Sequence, residues 1–267
     1  MLYIVATPIG NLGDMSARAI ETLKNVEYIL CEDTRTSKVL LDYYNIDKKL
    51  VSYHKYNEKE KCDSIVKDIM AGKDVGLISD AGTPAVSDPG NVVVRALIEH
   101  DLPMTVVPGA SALINAFVLS GMAAPFTFVG FLPEKSKDRR ELLNKLSTSP
   151  FTSIYYVSPH KIDEFFKDMY RAFGDRRVRV ARELTKKFEE VVTCNLADGY
   201  TGVTKGEFVA CVEGASMTES EVTDDVIAAE LANMVSSGKT KKEAVAELCT
   251  KYNLKKNYVY NISLNIG

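Results

Sequence analysis

Acidic residues, glycines and prolines punctuate four short stretches: TPIGNLGD (residues 7–14), CEDTR (31–35), SDAGTPAVSDPG (79–90) and VPGASA (107–112). A carboxylate can take a proton from a hydroxyl or stand opposite a cation, and a glycine lets the backbone approach a ligand closely. The groups that could accept or steer a proton are Asn11, Asp14, Asp33, Arg35 and, in SYHKYNE, His54. Such an acceptor within hydrogen-bond reach of a weakly acidic hydroxyl contributes roughly 100- to 10,000-fold. Arg35 could hold a phosphate or orient Asp33. Other readings stay open: CEDTR alone also describes an Asp–Arg pair that only fixes a loop, and a lone histidine is more often structural than catalytic. His100, at a helix end, reads as structural.

A dinucleotide is the first ligand to consider, because glycines follow an opening strand and Asp33 comes about twenty residues after Gly13. The detail fails. Gly10-x-x-Gly13 is not G-x-G-x-x-G, and Pro8, Asn11 and Asp14 stand where a pyrophosphate needs free amides and no extra anion. A G-x-x-x-x-G-K-[ST] loop is also absent. A cationic group carried on a neutral nucleoside needs carbonyl or carboxylate oxygens, apolar walls and no phosphate cradle. SDAGTP and VPGASA can supply these, with Asp80 as acceptor and Ser111 and Ala112 at a helix start, although Pro and Gly loops with Asp are also common structural turns.

These residues must be held by something. Apolar strand-like runs (LYIVAT, YILCE, LVSYH, DVGLIS, MTVVPG) alternate with helical spacing (DMSARAIETLKNV, TRTSKVLLDYYNI, KCDSIVKDIMAG, VVVRALIEHD, SALINAFVLSG). In the first of these helices Ala17, Ile20, Leu23 and Val26 share one side. This order predicts a largely parallel sheet whose punctuated loops lie at the carboxyl ends of the strands, where α/β proteins bind ligands. The pattern breaks at SGMAAP before FTFVGFLP. Beyond it come strands at TSIYYV, RVRVAR, EEVVTCN and EFVACVEG, pointing to antiparallel pairing, and helices at HKIDEFFKDMYRAF and DDVIAAELANMVSSG. The end is helical: Thr240 and Glu243 predict a capping box for KKEAVAELCTKY, and LKKNYVYNISL a second short helix after a turn at Asn253. That appendage reads equally as a stabilising lid or an RNA contact.

The totals suit two medium domains: 267 residues, 46% hydrophobic and 26% charged. No apolar run reaches the roughly 20 residues of a membrane span, and LYIVATP opens without a signal peptide's pattern. Five scattered cysteines without a C-x-x-C pair suit a reducing compartment and give no zinc pattern, so a cytoplasmic protein without metal or membrane is expected. Net charge is only −3, yet basic residues gather in EKSKDRR, GDRRVRVARELTKK, KTKKE and LKKN, which read as solvated faces or as a surface for an anionic partner.

Taken in order, TPIGNLGD, CEDTR, SDAGTP, SDPG, VPGASA and GFLP resemble the ribosomal RNA small subunit methyltransferase I branch of the tetrapyrrole methylase superfamily. The resemblance continues through RELTKKFEE, GEFVACVEG and the terminal helices. It implies an α/β, two-domain tetrapyrrole methylase-like fold, with a mainly parallel N-terminal sheet, a mixed C-terminal sheet and a small C-terminal helical appendage. Residues 1–122 would carry the cofactor and catalytic loops, 123–233 would complete the cofactor cleft, and 234–267 would form the appendage. The implied activity is S-adenosylmethionine-dependent methylation of a cytidine ribose 2'-hydroxyl in 16S rRNA, by a homodimer. In-line methyl transfer rests on positioning and electrostatics and requires no metal. By resemblance the cofactor lies against Pro8 and Ile9, the loop of Asp80, Ala81, Gly82 and Thr83, and Ser111 and Ala112, with Val157 and Leu184 as walls from the second half. RNA phosphates would meet Lys135, Lys137, Arg139, Arg140, Lys161 and Arg182. Tyr155 and Tyr156 could stack a splayed base if exposed, or else belong to the sheet core.

One segment departs from the family pattern. Where the family commonly has Glu-Ser-Pro-His-Arg, this chain has Val157-Ser158-Pro159-His160-Lys161. A role for that Glu therefore has no bearer here, and a lysine grips phosphate only as a point charge. Two rivals stay open: a tetrapyrrole C-methyltransferase of the same fold, whose members usually show a Gly-Pro-Gly type first loop in place of PIGN, and a non-catalytic RNA-binding assembly factor.

Overall fold

Short β-branched runs and amphipathic stretches alternate through the first half, and each becomes the element its spacing predicts. The computed structural model describes residues 1–215, 223–252 and 254–264. Strands β1 (Leu2–Val5), β2 (Tyr28–Cys31), β3 (Lys49–Ser52), β4 (Val75–Leu77) and β5 (Met104–Val107) form an all-parallel sheet in the order β3-β2-β4-β1-β5. They alternate with α1 (Ala17–Asn25), α2 (Thr34–Tyr43), α3 (Glu58–Met70), α4 (Asn91–Glu99) and α5 (Ala112–Ser120). Leu2, Ile4, Leu30 and Leu77 pack on one face with Ile65 and Ile69 of α3 and Leu97 of α4; Val5, Ile29 and Val107 pack on the other with Ala19 and Leu23 of α1 and Leu41 of α2. Ala17 is exposed and Ala19 takes its expected place in the core, because the helix begins at Ala17 and turns Ala19 toward the sheet.

The strand order has a direct consequence for the loops. β2, β4, β1 and β5 are successive neighbours, so CEDTR, SDAGTP, TPIGN and VPGAS emerge side by side along one sheet edge.

The second half builds a mixed sheet in the order β6-β7-β10-β8-β9 from β6 (Phe126–Phe131), β7 (Thr152–Val157), β8 (Arg177–Arg182), β9 (Glu190–Asn195) and β10 (Phe208–Val212). β6 and β7 run parallel and the remaining pairs antiparallel. One face packs on α6 (Ser136–Leu146) and α7 (Ile162–Phe173) through Leu143, Phe165, Phe166 and Met169. The other receives α5, whose Leu113 and Ala116 meet Ile154, Ala181, Val209 and Cys211. Helix α6 lies in the basic EKSKDRR zone, where dense charge hides the apolar spacing of Leu142, Leu143 and Leu146.

By compactness the chain forms one unit of residues 1–147 with 151–213 and another of 148–150 with 214–267. The second contains α8 (Asp224–Ser236), α9 (Lys241–Tyr252) and α10 (Lys256–Leu264), which bury Ile227, Leu231, Val245, Leu248 and Val259 together. The capping box forms as expected: the Thr240 N–H donates to Glu243 Oε2 at 2.9 Å, and the Glu243 N–H to Thr240 Oγ1 at 3.3 Å. The expected turn at Asn253 lies outside the described residues. Among the described residues no helix is long and apolar enough to cross a membrane.

Candidate functional site

Two neighbouring loops are stitched together where the ligand is expected. Thr7 and Gly82 exchange backbone hydrogen bonds of 2.9 and 3.1 Å, Thr7 Oγ1 donates to the Ser79 carbonyl at 3.0 Å, and Thr83 Oγ1 donates to the Ala110 carbonyl at 3.3 Å. Gly82 has φ +82°, and a Cβ there would sit 3.4 Å from Ile9 Cγ2. Glycine therefore serves both the left-handed turn and the close approach. The result is a cavity of about 410 Å³, within the usual range for small-molecule sites. Ile9, Asp80, Ala81, Gly82, Thr83, Ser111 and Ala112 line one side, and Val157 lines the other. Pro8 and Leu184 are buried beside it without lining it; Leu184 packs in one cluster with Ile9. Ser87, Asp88, Phe131, Tyr156, Ser158 and Glu207 also face the cavity. Asp88 and Phe131 lie in the SDPG and GFLP motifs, where sequence alone assigns neither a role. The signal for Asp88 was its place in the same β4–α4 loop as Asp80.

The cavity carries negative charge. Burial pushes the Asp88 carboxyl up to about 6, and the charges of Glu32 and Asp80 add to the effect. Glu32 is also raised, first by burial and then by Asp80. Among the described residues that line the cavity none is Lys or Arg. A phosphate would find no counter-charge here, whereas a cation attached to a nucleoside would meet carboxylates and apolar walls.

Next to it lies an open depression of about 470 Å³, lined by Glu32, Asp33, Arg35, Ser52, His54, Tyr56 and Asp80. Asp80 borders both spaces. Asp33 caps α2: it accepts from the Arg35 backbone N–H at 2.8 Å, and from Arg35 Nε and Nη2 at 3.1 and 2.7 Å. These bonds hold the Asp33 carboxyl at about 2, so it is ionised and a weak proton acceptor. His54 is positioned by its backbone N–H to Asn57 Oδ1 at 2.8 Å, and its Nδ1 accepts from the Tyr56 N–H at 3.3 Å. Asn11 and Asp14 line neither space; Asn11 Oδ1 accepts from the Gly13 N–H at 3.0 Å and caps the short 3-10 helix Leu12–Asp14.

Residues 1–199 match the family model of Tetrapyrrole (Corrin/Porphyrin) Methylases. The ribosomal RNA small subunit methyltransferase I of Halalkalibacterium halodurans is 38% identical over 98% of this chain and 93% of its own length. The chain belongs to this methyltransferase family, within the tetrapyrrole methylases. The Mycoplasmopsis pulmonis ribosomal RNA small subunit methyltransferase I is 47% identical over 78% of this chain and 95% of that one. Uroporphyrin-III C-methyltransferase from Thermus thermophilus, solved with S-adenosylhomocysteine, superposes with a TM-score of 0.56 at 19% identity, covering 79% of this chain and 96% of that one. That likeness concerns the fold alone.

In this tetrapyrrole methylase the six basic residues expected to meet RNA fall into different settings. Lys135, Lys137 and Arg140 are exposed on and before α6, with Lys137 4.0 Å from Glu141. The Arg139 side chain is only 12% exposed and is committed to Asp168 at 2.6 Å, to Glu164, and to the Pro133 and Glu134 carbonyls at 3.1 Å each. Arg182 is likewise turned inward, pairing with Glu190 at 3.0 Å. Lys161 is half-exposed, 3.6 Å from Glu134. Tyr155 is fully buried in the sheet core, whereas Tyr156 is half-buried and faces the cavity.

Proposed function

We propose that this protein transfers a methyl group from S-adenosylmethionine to the ribose 2'-hydroxyl of a cytidine in 16S rRNA of the small ribosomal subunit. The observation that carries this reading is the cation-suited cavity sharing Asp80 with the depression of Asp33, Arg35 and His54. When bound, S-adenosylmethionine supplies an electrophilic methyl group on a sulfonium, open to displacement by an oxygen. Ile9, Asp80, Ala81, Gly82, Thr83, Ser111, Ala112 and Val157 would hold it, with Pro8 and Leu184 supporting those walls from behind. The relatives' names support an rRNA substrate, and the family resemblance supports the 2'-hydroxyl and the cytidine.

In this reading Asp33 acts through its fixed charge at the reacting hydroxyl, and Arg35 orients it. His54 stands at the same depression as a proton acceptor. Asn11 and Asp14 shape the first loop. Lys135, Lys137, Arg140 and Lys161 meet phosphates, while Arg139 and Arg182 hold the surface that presents them. Residues 1–122 supply the cofactor and catalytic loops and the following mixed sheet closes the cleft. A cytoplasmic homodimer is part of the proposal; exposed Ile114, Val118 and Leu119 on α5 support the pairing of two copies. The test is incubation with methyl-labelled cofactor and small subunits lacking the modification: label in the RNA is expected, and bound cofactor without labelled RNA would overturn the substrate assignment.

A further inference from the structure

β6 contains one extra residue against its neighbour. Its pairing with β7 runs Phe128 to Ile154 and then Gly130 to Tyr155, so a bulge falls between them. Side chains alternate along a strand, and one inserted residue reverses the face of everything after it. Without the bulge Phe131 would pair with Val157, whose side chain belongs to the core under α7; with it, Phe131 pairs with Tyr156 on the cavity side. Gly130 makes this possible: its φ is +73°, and a Cβ there would lie 3.2 Å from Ser87 Oγ, in the loop that carries Asp88. A large apolar side chain is thus turned out of a core and left 60% exposed.

Phe131 stands on a shared wall. It lines the 410 Å³ cavity and also an adjoining one of about 260 Å³, together with Tyr156, Val157 and Ser158. Its ring lies 5.5 Å from that of Tyr156 at 61°, an edge-type contact that braces it while most of the side chain stays exposed. Glu134, Lys161 and Glu164 supply charged acceptors and a donor around the second cavity.

We propose that Phe131 stacks the target nucleobase, splayed from the RNA into this second cavity, and so positions its ribose at the mouth of the first. This deepens the reading of the protein as an rRNA ribose methyltransferase and rests on it. Unstacked bases are characteristically recognised by an aromatic face together with polar groups at the base edge. Stacking tolerates any base; choice among bases falls to Ser158 and Glu134, which line the second cavity.

The test compares wild type with F131A, F131L and F131W on small subunits lacking the modification, alongside calorimetric titration of S-adenosylmethionine and sedimentation of each variant. F131A and F131L are expected to lower kcat/KM for the subunit by about 20-fold, with cofactor Kd within about twofold and sedimentation unchanged, while F131W keeps at least half the activity. F131L equal to wild type would overturn the stacking role. So would cofactor affinity falling in step with turnover, or an altered association state, which would assign Phe131 to the cofactor wall or to a protein interface. A wild type that labels no RNA would instead overturn the functional reading.

Discussion

The backbone N–H of Asp33 donates to Oδ1 of Asp80 at 3.2 Å, tying the loop after β2 to the loop after β4. The Asp80 carboxylate thus fixes the backbone that carries Asp33. Asp80 borders the cofactor cavity and Asp33 the open depression, so the two spaces cannot shift independently without breaking this bond.

Asp33→Asn keeps a side-chain oxygen for the α2 cap but removes the charge that Arg35 grips. Methyl transfer is expected to slow by at least about tenfold, with cofactor affinity within about twofold of wild type. Because Asp33 is held at about 2, the rate profile between pH 5 and 9 should carry no limb belonging to it. Steady-state rates and calorimetry check both statements; unchanged turnover removes Asp33 from the mechanism.

Asp88 gives a pH dependence of the opposite sense. Its carboxyl is raised from the ordinary 3.8 to about 6, so folding favours the protonated form. The stabilisation is complete below the unfolded value and is lost as pH rises through about 6. Asp88→Asn should therefore raise Tm at pH 7 to 8 and leave it nearly unchanged at pH 4. Cofactor binding should be tighter at pH 7.5 than at pH 5, because only the ionised carboxylate attracts a cation. Tighter binding at pH 5 would contradict the cationic reading of the cavity.

Gly82→Ala places a Cβ at φ +82° and against Ile9. The strain is about 1–2 kcal/mol, and it falls on the Thr7–Gly82 bridge that shapes the cofactor loop. Both a lowered Tm and weakened cofactor binding are expected. A normal Kd would show that the loop relaxes without cost to the site.

Arg139 and its neighbours should separate cleanly. Arg139→Ala leaves Asp168, itself 20% exposed, with only the longer 3.8 Å pairing to Arg171, and should cost about 2 kcal/mol of stability. The triple change K135Q/K137Q/R140Q should stay within about 0.5 kcal/mol, yet weaken subunit binding and flatten its salt dependence. Chemical denaturation reads the first and filter binding across salt the second; an unaltered salt slope places the RNA surface elsewhere.

The four loops were readable because their punctuation is local: Pro, Gly and Asp following an apolar run mark a strand end wherever they occur. Their adjacency follows from strand order, which periodicity does not contain. Asp88 and Phe131 lie in recognisable motifs, but their setting comes from a bulge and from the packing of the β4–α4 loop against β6. Arg139 and Arg140 look alike in sequence; what separates them is Glu164 and Asp168 on α7, brought to one and not the other by the docking of α6. Helix α6 itself was hidden by the charges that suggested an RNA surface.

The most direct test of the central claim is alkaline hydrolysis of 16S rRNA from small subunits treated with the wild-type protein and S-adenosylmethionine. A ribose whose 2'-hydroxyl carries a methyl group cannot attack its own phosphodiester, so the ladder should lose one band, at a cytidine, only when both are present. A complete ladder with label on a base, or no label on the RNA at all, would contradict it.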